Sequence, residues 1–255
     1  MSLKKKIKIK KIIGFDIDET IGYFVQFSIF CSVIEEYRRK KISQIEFNNL
    51  LDLFPEFLRY KIFDIIKYLL KNKKLYSKLF LYTNNTGNKL WPNRIKKYFE
   101  YKLSQKVFDK TICAYKVNGK QIEKCRTSYE KKYSDLMNCL NMETSTKVFF
   151  ADDQIHNDMY YHKNVTYYNN NTYIFNLTPK KMLLRLKKSN IYHTIPKQYL
   201  FDDYFLYELS TYEEFNLPFK TFTLQYLNEY NLMMKELNIF IKKSSNKTIK
   251  KKYLN

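Results

Sequence analysis

Three short apolar runs in this chain stop abruptly in acids or amides: "KIIGFDIDET" (11–20), "KLFLYTNN" (78–85) and "KVFFADD" (147–153). Runs this short and continuous read as strands buried on both faces, the signature of a parallel sheet covered by helices. In an open parallel sheet the strands' carboxyl ends share one edge, and ligands sit there. The three runs would therefore deliver Asp16 and Asp18, then Thr83, Asn84 and Asn85, then Asp152 and Asp153 to a common place. Carboxylates closing apolar strands are costly without a partner.

Between these runs the pattern is helical. Phe24, Phe27, Phe30 and Ile34 fall near helical spacing within 21–50, and Leu58, Ile62, Ile65, Ile66 and Leu69 predict an amphipathic helix over 56–71. Strand Leu79–Tyr82 leads to a polar turn ending at Gly87, followed by a helix after Pro92. Residues 110–126 read as a hairpin turning at Asn118-Gly119. A helix capped by Ser128 precedes the third run, and "NVTYYN" (164–169) gives one more strand. The order predicts an α/β fold, a Rossmann-like, mainly parallel sheet with helices on both faces. From Thr178 the character changes: Thr178-Pro179 opens a basic helix, an acidic, aromatic stretch follows, and 222–241 reads as a long helix with a frayed end. The division is a core over 1–177 and a mostly helical extension over 178–255.

The chain has 255 residues and a net charge of +21, with 45% hydrophobic and 18% aromatic residues, enough to build a core. The charge admits two explanations. It suits a polyanionic partner, and it also follows from the Lys-, Asn- and Ile-rich composition of an AT-rich genome. The four cysteines form no CxxC pair and there are three histidines, which argues against zinc and for reduced thiols in a cytosolic compartment. The N-terminus lacks a signal peptide's apolar stretch, and no segment has the uncharged length a bilayer needs.

"DIDET", "LYTNN", a lysine near the start of the following helix and "FFADD" occur in the order and spacing of the haloacid dehalogenase-like (HAD) phosphatases, which residues 7–170 resemble. The DIDET form looks like the branch acting on the RNA polymerase II C-terminal domain. "GKQIEKCRTSYEK" with "FFADDQIHNDM" is similar to HAD-like proteins of large DNA viruses, which would place the chain in host cytoplasm.

The resemblance implies a mechanism residue by residue. Asp16 would attack phosphorus and form an aspartyl-phosphate; Asp18 would serve as acid, then base. Mg²⁺ would be held by Asp16, the Asp18 carbonyl and Asp152, with Asp153 direct or through water. Thr83 and Asn84 would bind phosphoryl oxygens, Thr20 would fix the turn beside the substrate, and Lys131 would neutralise charge, with Lys132 next and Lys124 an outsider. Asp158 reads either as a further metal-site acid or as a solvated helix residue; His156 and His162 read as surface residues.

Only 64 residues separate Asp18 from Thr83. That leaves space for a small helical lid over 21–55, so the enzyme would be capless or minimally capped, with the extension as an alternative partial lid. An open site suits a macromolecular phosphate, on a phosphoprotein or a polynucleotide end. The competing readings are a catalytically idle HAD-like scaffold binding nucleic acid or protein through its basic surface, and a nucleotidase or phosphotransferase of the same superfamily.

Overall fold

The computed structural model describes residues 10–85, 90–216 and 224–243. The turn expected at Gly87 and most of the frayed end lie outside these residues. Five strands, β1 (Lys11–Phe15), β2 (Lys78–Tyr82), β3 (Lys110–Ile112), β6 (Lys147–Asp152) and β7 (Val165–Asn169), form one sheet in the order β3-β2-β1-β6-β7. All four pairings are parallel. The chain moves outward from β1 to β3 and then returns to the other side of β1. The strand order therefore reverses between β1 and β6, where such sheets form their ligand crevice.

Alternation along the strands divides the interior in two. Ile13, Phe15, Leu79, Leu81, Phe149 and Ala151 face the larger core. It is filled by α1 (Val25–Arg38), α2 (Gln44–Asp52), α3 (Ile62–Lys71), α4 (Leu90–Leu103) and the C-terminal helices α7 (Pro179–Leu186), α8 (Asn190–His193), α9 (Gln198–Ser210) and α10 (Leu224–Lys242). Ile12, Phe80, Tyr82, Ile112, Val148 and Phe150 face the smaller core, under α5 (Tyr133–Leu140) and α6 (Asn157–Tyr160). Gly14 belongs to that second face. A Cβ there would stand 2.2 Å from the Phe80 ring, so the strand needs glycine to let the ring cross it.

Several boundaries differ from the sequence reading. The helical stretch over 21–50 is two helices, broken where Arg39 takes a left-handed φ of 49° and restarted by a Ser43–Glu46 capping box. The helix expected from 56 begins only at Ile62, because Pro55–Phe57 is a 3₁₀ turn and Lys61 is left-handed. Half of the expected hairpin is the sheet strand β3, since Ile112 is apolar enough to be buried beside Tyr82. The hairpin proper is the short pair β4 (Lys116–Val117) and β5 (Lys120–Gln121), with Asn118 and Gly119 both at positive φ as such a turn requires.

The extension is not a separate unit. Its buried residues, among them Phe205, Leu209 and Leu237, join the same core as Phe27 and Phe30. Lys11, at the start of β1, donates to the Phe240 and Ile241 carbonyls at the end of α10, both at 2.9 Å. This satisfies carbonyls that the helix end leaves open. Among the described residues, no helix is long and apolar enough to cross a membrane.

Cys125 and Cys139 are joined in a disulfide, with their Cα atoms 5.0 Å apart, while Cys31 and Cys113 are buried thiols outside it. This corrects the expectation of four reduced thiols. The fold lays the loop after the hairpin across α5, a proximity that residue spacing does not reveal.

Candidate active site

The register sets Phe15 opposite Ala151 on one side and Leu81 on the other. One residue further, the strands release Asp16, Tyr82–Thr83 and Asp152 at a shared edge. Asp16, Thr83 and Asp152 are buried, at 6%, 1% and 1% exposure. Lys131 is equally buried, and its Nζ lies 2.6 Å from both Asp16 Oδ1 and Asp152 Oδ2. Lys132 points elsewhere, to the Thr127 hydroxyl at 3.4 Å, and Lys124 is exposed. The structure thus brings Lys131 to the acids and leaves the other two lysines outside.

Both lysines lie just before α5 rather than within it. Ser128 does not cap the helix: Lys132 occupies the cap position, and the Asp158 carboxylate accepts from the Tyr133 N–H at 2.6 Å. Asp158 therefore closes a helix end from across the fold.

The turn after Asp16 is tight. Glu19 has φ 61°, its N–H donates to the Gly22 carbonyl at 2.7 Å, and Ile21 N–H donates back to Ile17. Thr20 is fully buried. Its hydroxyl donates to Asp153 Oδ1 at 3.3 Å and accepts from the Asp153 N–H at 3.1 Å, so it links the β1 turn to the β6 turn. Asp18 is held by Asn85, whose amide donates to Oδ2 at 2.8 Å. Asn84 is engaged differently: its carbonyl oxygen accepts from Arg126 at 2.7 Å and its amide donates to Tyr129 O at 2.9 Å. Of the two amides in "TNN", the second meets the acids and the first anchors the loop. The Thr83 hydroxyl accepts from Asn85 N–H at 3.0 Å, which leaves its proton available to an incoming oxygen.

Burial raises Asp16 far above the usual carboxylate range. Lys131 opposes this, and Asp152 and Asp18 add to it. Asp18 is also raised, first by burial and against the pull of Asn85 and Lys131. Burial works against the Lys131 charge, but Asp16 and Asp152 outweigh it and raise that pKa.

Carboxylate oxygens of Asp16, Asp152 and Asp153 lie within 4.8 Å of one another. One ammonium bonds two of these acids, Asp16 and Asp152, and all the ligand atoms are oxygens. Such a set fits a hard divalent cation like Mg²⁺.

Four participants were given no role in the site by the sequence reading. Arg126, 1% exposed, donates to the Thr83 and Cys113 carbonyls at 3.1 and 2.9 Å and so fixes the Thr83–Asn84 loop. Arg59 donates to the Glu19, Thr20 and Asn171 carbonyls and pairs with Glu229 of α10 at 2.7 Å, holding the β1 turn from behind. Asn85 is the third. His156 is not a surface residue: Nε2 lies 3.7 Å from Asp152 Oδ2 and Nδ1 lies 3.3 Å from Glu130. Burial and nearby Lys131 lower its pKa. His162 instead stacks on Tyr133 with centroids 3.8 Å apart.

The acids open into a cleft of about 830 Å³ that continues between α1 and the first turn of α4. Among the described residues none beyond His156 lines it, so the described part of the C-terminal extension does not contribute to its walls. Comparison with protein-family models, with curated proteins and with solved structures gives no match.

Proposed function

We propose that this chain is a Mg²⁺-dependent phosphomonoesterase of the HAD-like type, working through an aspartyl-phosphate. The observation that carries the reading is the position of Lys131, 2.6 Å from two carboxylates delivered by adjacent strands. A binding module has no need for four buried or half-buried acids around one lysine at a strand-order reversal.

In this reading a carboxylate oxygen of Asp16 attacks phosphorus, and the bond from phosphorus to the leaving oxygen breaks. Asp18, held beside the cleft by the Asn85 amide, protonates that oxygen. Water then attacks the aspartyl-phosphate while Asp18 takes its proton, releasing inorganic phosphate and restoring Asp16. The Thr83 hydroxyl and Lys131 face the negative charge that grows on the phosphoryl oxygens. Asn85 keeps Asp18 turned toward the cleft, and Thr20 keeps the two acidic turns in register. Asp16, Asp152 and Asp153 would hold Mg²⁺, which when bound shields the phosphate from the anionic nucleophile.

The test is phosphate release from p-nitrophenyl phosphate by wild type and Asp16→Asn, with Mg²⁺ and with EDTA. Both EDTA and the substitution should lower the rate, the substitution by at least about 10³-fold. Equal rates for wild type and Asp16→Asn would refute the enzyme and favour a scaffold.

A further inference from the structure

The cleft is much larger than the chemistry at its acidic end requires. On α1 its lining runs from Val25 to Glu35, and at 1.5 Å per residue that wall is about 15 Å long. A phosphate with its metal occupies only the end near Asp16. The volume of about 830 Å³ is of the size that holds a small organic ligand.

The walls differ along their length. Near the acids they are Phe24 and Val25. Further along, Ser28 and Ser32 stand one helical turn apart on α1, opposite Leu90 and Trp91 of α4. Two serines in place of larger side chains leave the space that a leaving group would fill. Trp91 is fixed by aromatic contacts at 5.3 Å to Phe47 and 6.0 Å to Phe27, so its ring is a rigid wall. At the far end, Arg94 and Lys41 both pair with Glu35, at 3.5 and 2.7 Å, and Arg94 also donates to the Ile42 carbonyl at 2.5 Å. These bonds brace the far end. A polymer leaving the reactive end along this cleft would have to cross Glu35, Arg94 and Lys41, whose ion pairs tie α1, α4 and the segment after α1 together.

We propose that this cleft is a leaving-group pocket and that the substrate is a small organic phosphomonoester with a ring-sized, largely apolar body. The inference rests on the phosphomonoesterase reading and replaces the macromolecular phosphate expected from the sequence. Val25, Ser28, Ser32, Leu90 and Trp91 would set specificity, while the acids perform the chemistry. Filling the pocket from Ser28 should select against bulky bodies and spare bodiless ones.

The experiment compares kcat/KM, with Mg²⁺, for 1-naphthyl phosphate, acetyl phosphate, a phosphoserine peptide and a 3′-phosphorylated oligonucleotide. It uses the full chain as wild type, Ser28→Phe, Ser32→Phe and Asp16→Asn. Wild type should prefer 1-naphthyl phosphate to either polymer, and Ser28→Phe should lower the naphthyl-to-acetyl ratio by roughly tenfold or more. Ser32→Phe provides a second filling if Ser28→Phe fails to fold. A polymer preferred over 1-naphthyl phosphate, or an unchanged ratio in a folded filled variant, overturns the pocket while leaving the phosphatase standing. Asp16→Asn as active as wild type overturns the phosphatase itself. Trp91 is the single tryptophan of the chain, which adds a readout independent of turnover. Cyclohexyl phosphate titrated into Asp16→Asn should shift its emission saturably and inorganic phosphate should not; no shift with the ring-bearing ester counts against the pocket.

Discussion

Two buried cations hold this molecule together around the β1 turn, and their surroundings are opposite. Arg59 and Glu229 are 4% and 7% exposed, and the guanidinium also meets three backbone carbonyls. Its charge is matched by one carboxylate and its donors by acceptors. Lys131, on the other face of the turn, pairs with two carboxylates, Asp16 and Asp152, and otherwise lies against the Tyr82 and Phe150 rings, so one ammonium faces two acids. The first site is satisfied and the second is left with excess negative charge facing a cleft. A satisfied ion pair belongs to the scaffold. An unbalanced one retains affinity for a cation and for the chemistry a cation permits.

The comparison can be broken first at Arg59. Arg59→Met would leave Glu229 buried without its counter-charge and withdraw a donor from the Glu19, Thr20 and Asn171 carbonyls, of which Glu19 keeps the Tyr173 N–H, costing about 3–5 kcal/mol in urea unfolding. Adding Glu229→Leu should recover only part of that loss, because the Arg59 bond to the Thr20 carbonyl stays missing. Full recovery in the double variant would reduce Arg59 to a simple ion-pair partner.

Lys131→Met should behave differently. We expect kcat to fall by roughly 10²–10³-fold, the usual effect of removing one stabilising donor at a phosphoryl group. Mg²⁺ should then raise the thermal midpoint more than it does in wild type, since Asp16 and Asp152 have lost the Lys131 ammonium and the folded state binds the cation more tightly. A midpoint that gains no more from Mg²⁺ than wild type's would show that the acids were already balanced.

The contrast also explains what could be read in advance. The parallel sheet and the three strands ending in acids or amides were legible because period and apolar run length are local. Asp16, Asp18 and Asp152 followed from strand ends, whereas Lys131 was chosen from the family resemblance. Arg59, Arg126 and the disulfide were not legible, because their partners lie far along the chain: Arg59 meets Glu229, 170 residues away. One compositional signal did exist. In a chain whose positive charge is nearly all lysine, only six arginines occur. Arg38, Arg59, Arg94, Arg126 and Arg185 each make side-chain bonds to carboxylates or carbonyls. Where lysine is the default, a retained arginine marks a position that needs a planar fork. His156 was misjudged because a polar residue after a strand gives no hint of which way it turns.

The disulfide ties this comparison to the loop that carries Lys131. Cys125 and Cys139 bracket that loop, 14 residues apart. Closing a loop of that size contributes about 3 kcal/mol. Cys125→Ser/Cys139→Ser should lose about this much in denaturant unfolding. Its loss of activity should exceed any loss from Cys31→Ser, because only the bracketed loop aims Lys131. Equal activities in the two variants would show that Lys131 is held by its carboxylates alone.

The smallest effect belongs to a third ion pair, Arg185 with Glu56, which joins α7 to the 3₁₀ turn behind the β1 loop. Its nitrogens lie 2.5 and 2.7 Å from the two carboxylate oxygens, but both side chains are about a third exposed, at 33% and 29%. Burial pushes the Glu56 pKa up, and the Arg185 hydrogen bonds outweigh it, so the folded value lies below the ordinary one. A depressed carboxylate stabilises the fold above its unfolded pKa, and that contribution fades as pH falls through the folded value. Water screening limits it to at most about 1 kcal/mol. Glu56→Gln should therefore be slightly less stable than wild type at neutral pH, and the two unfolding midpoints should converge as the solution is acidified below pH ~4. Midpoints that stay apart in acid would mean that Glu56 acts by shape. The pair would then resemble the satisfied Arg59 site rather than the solvent-screened surface contact its exposure describes.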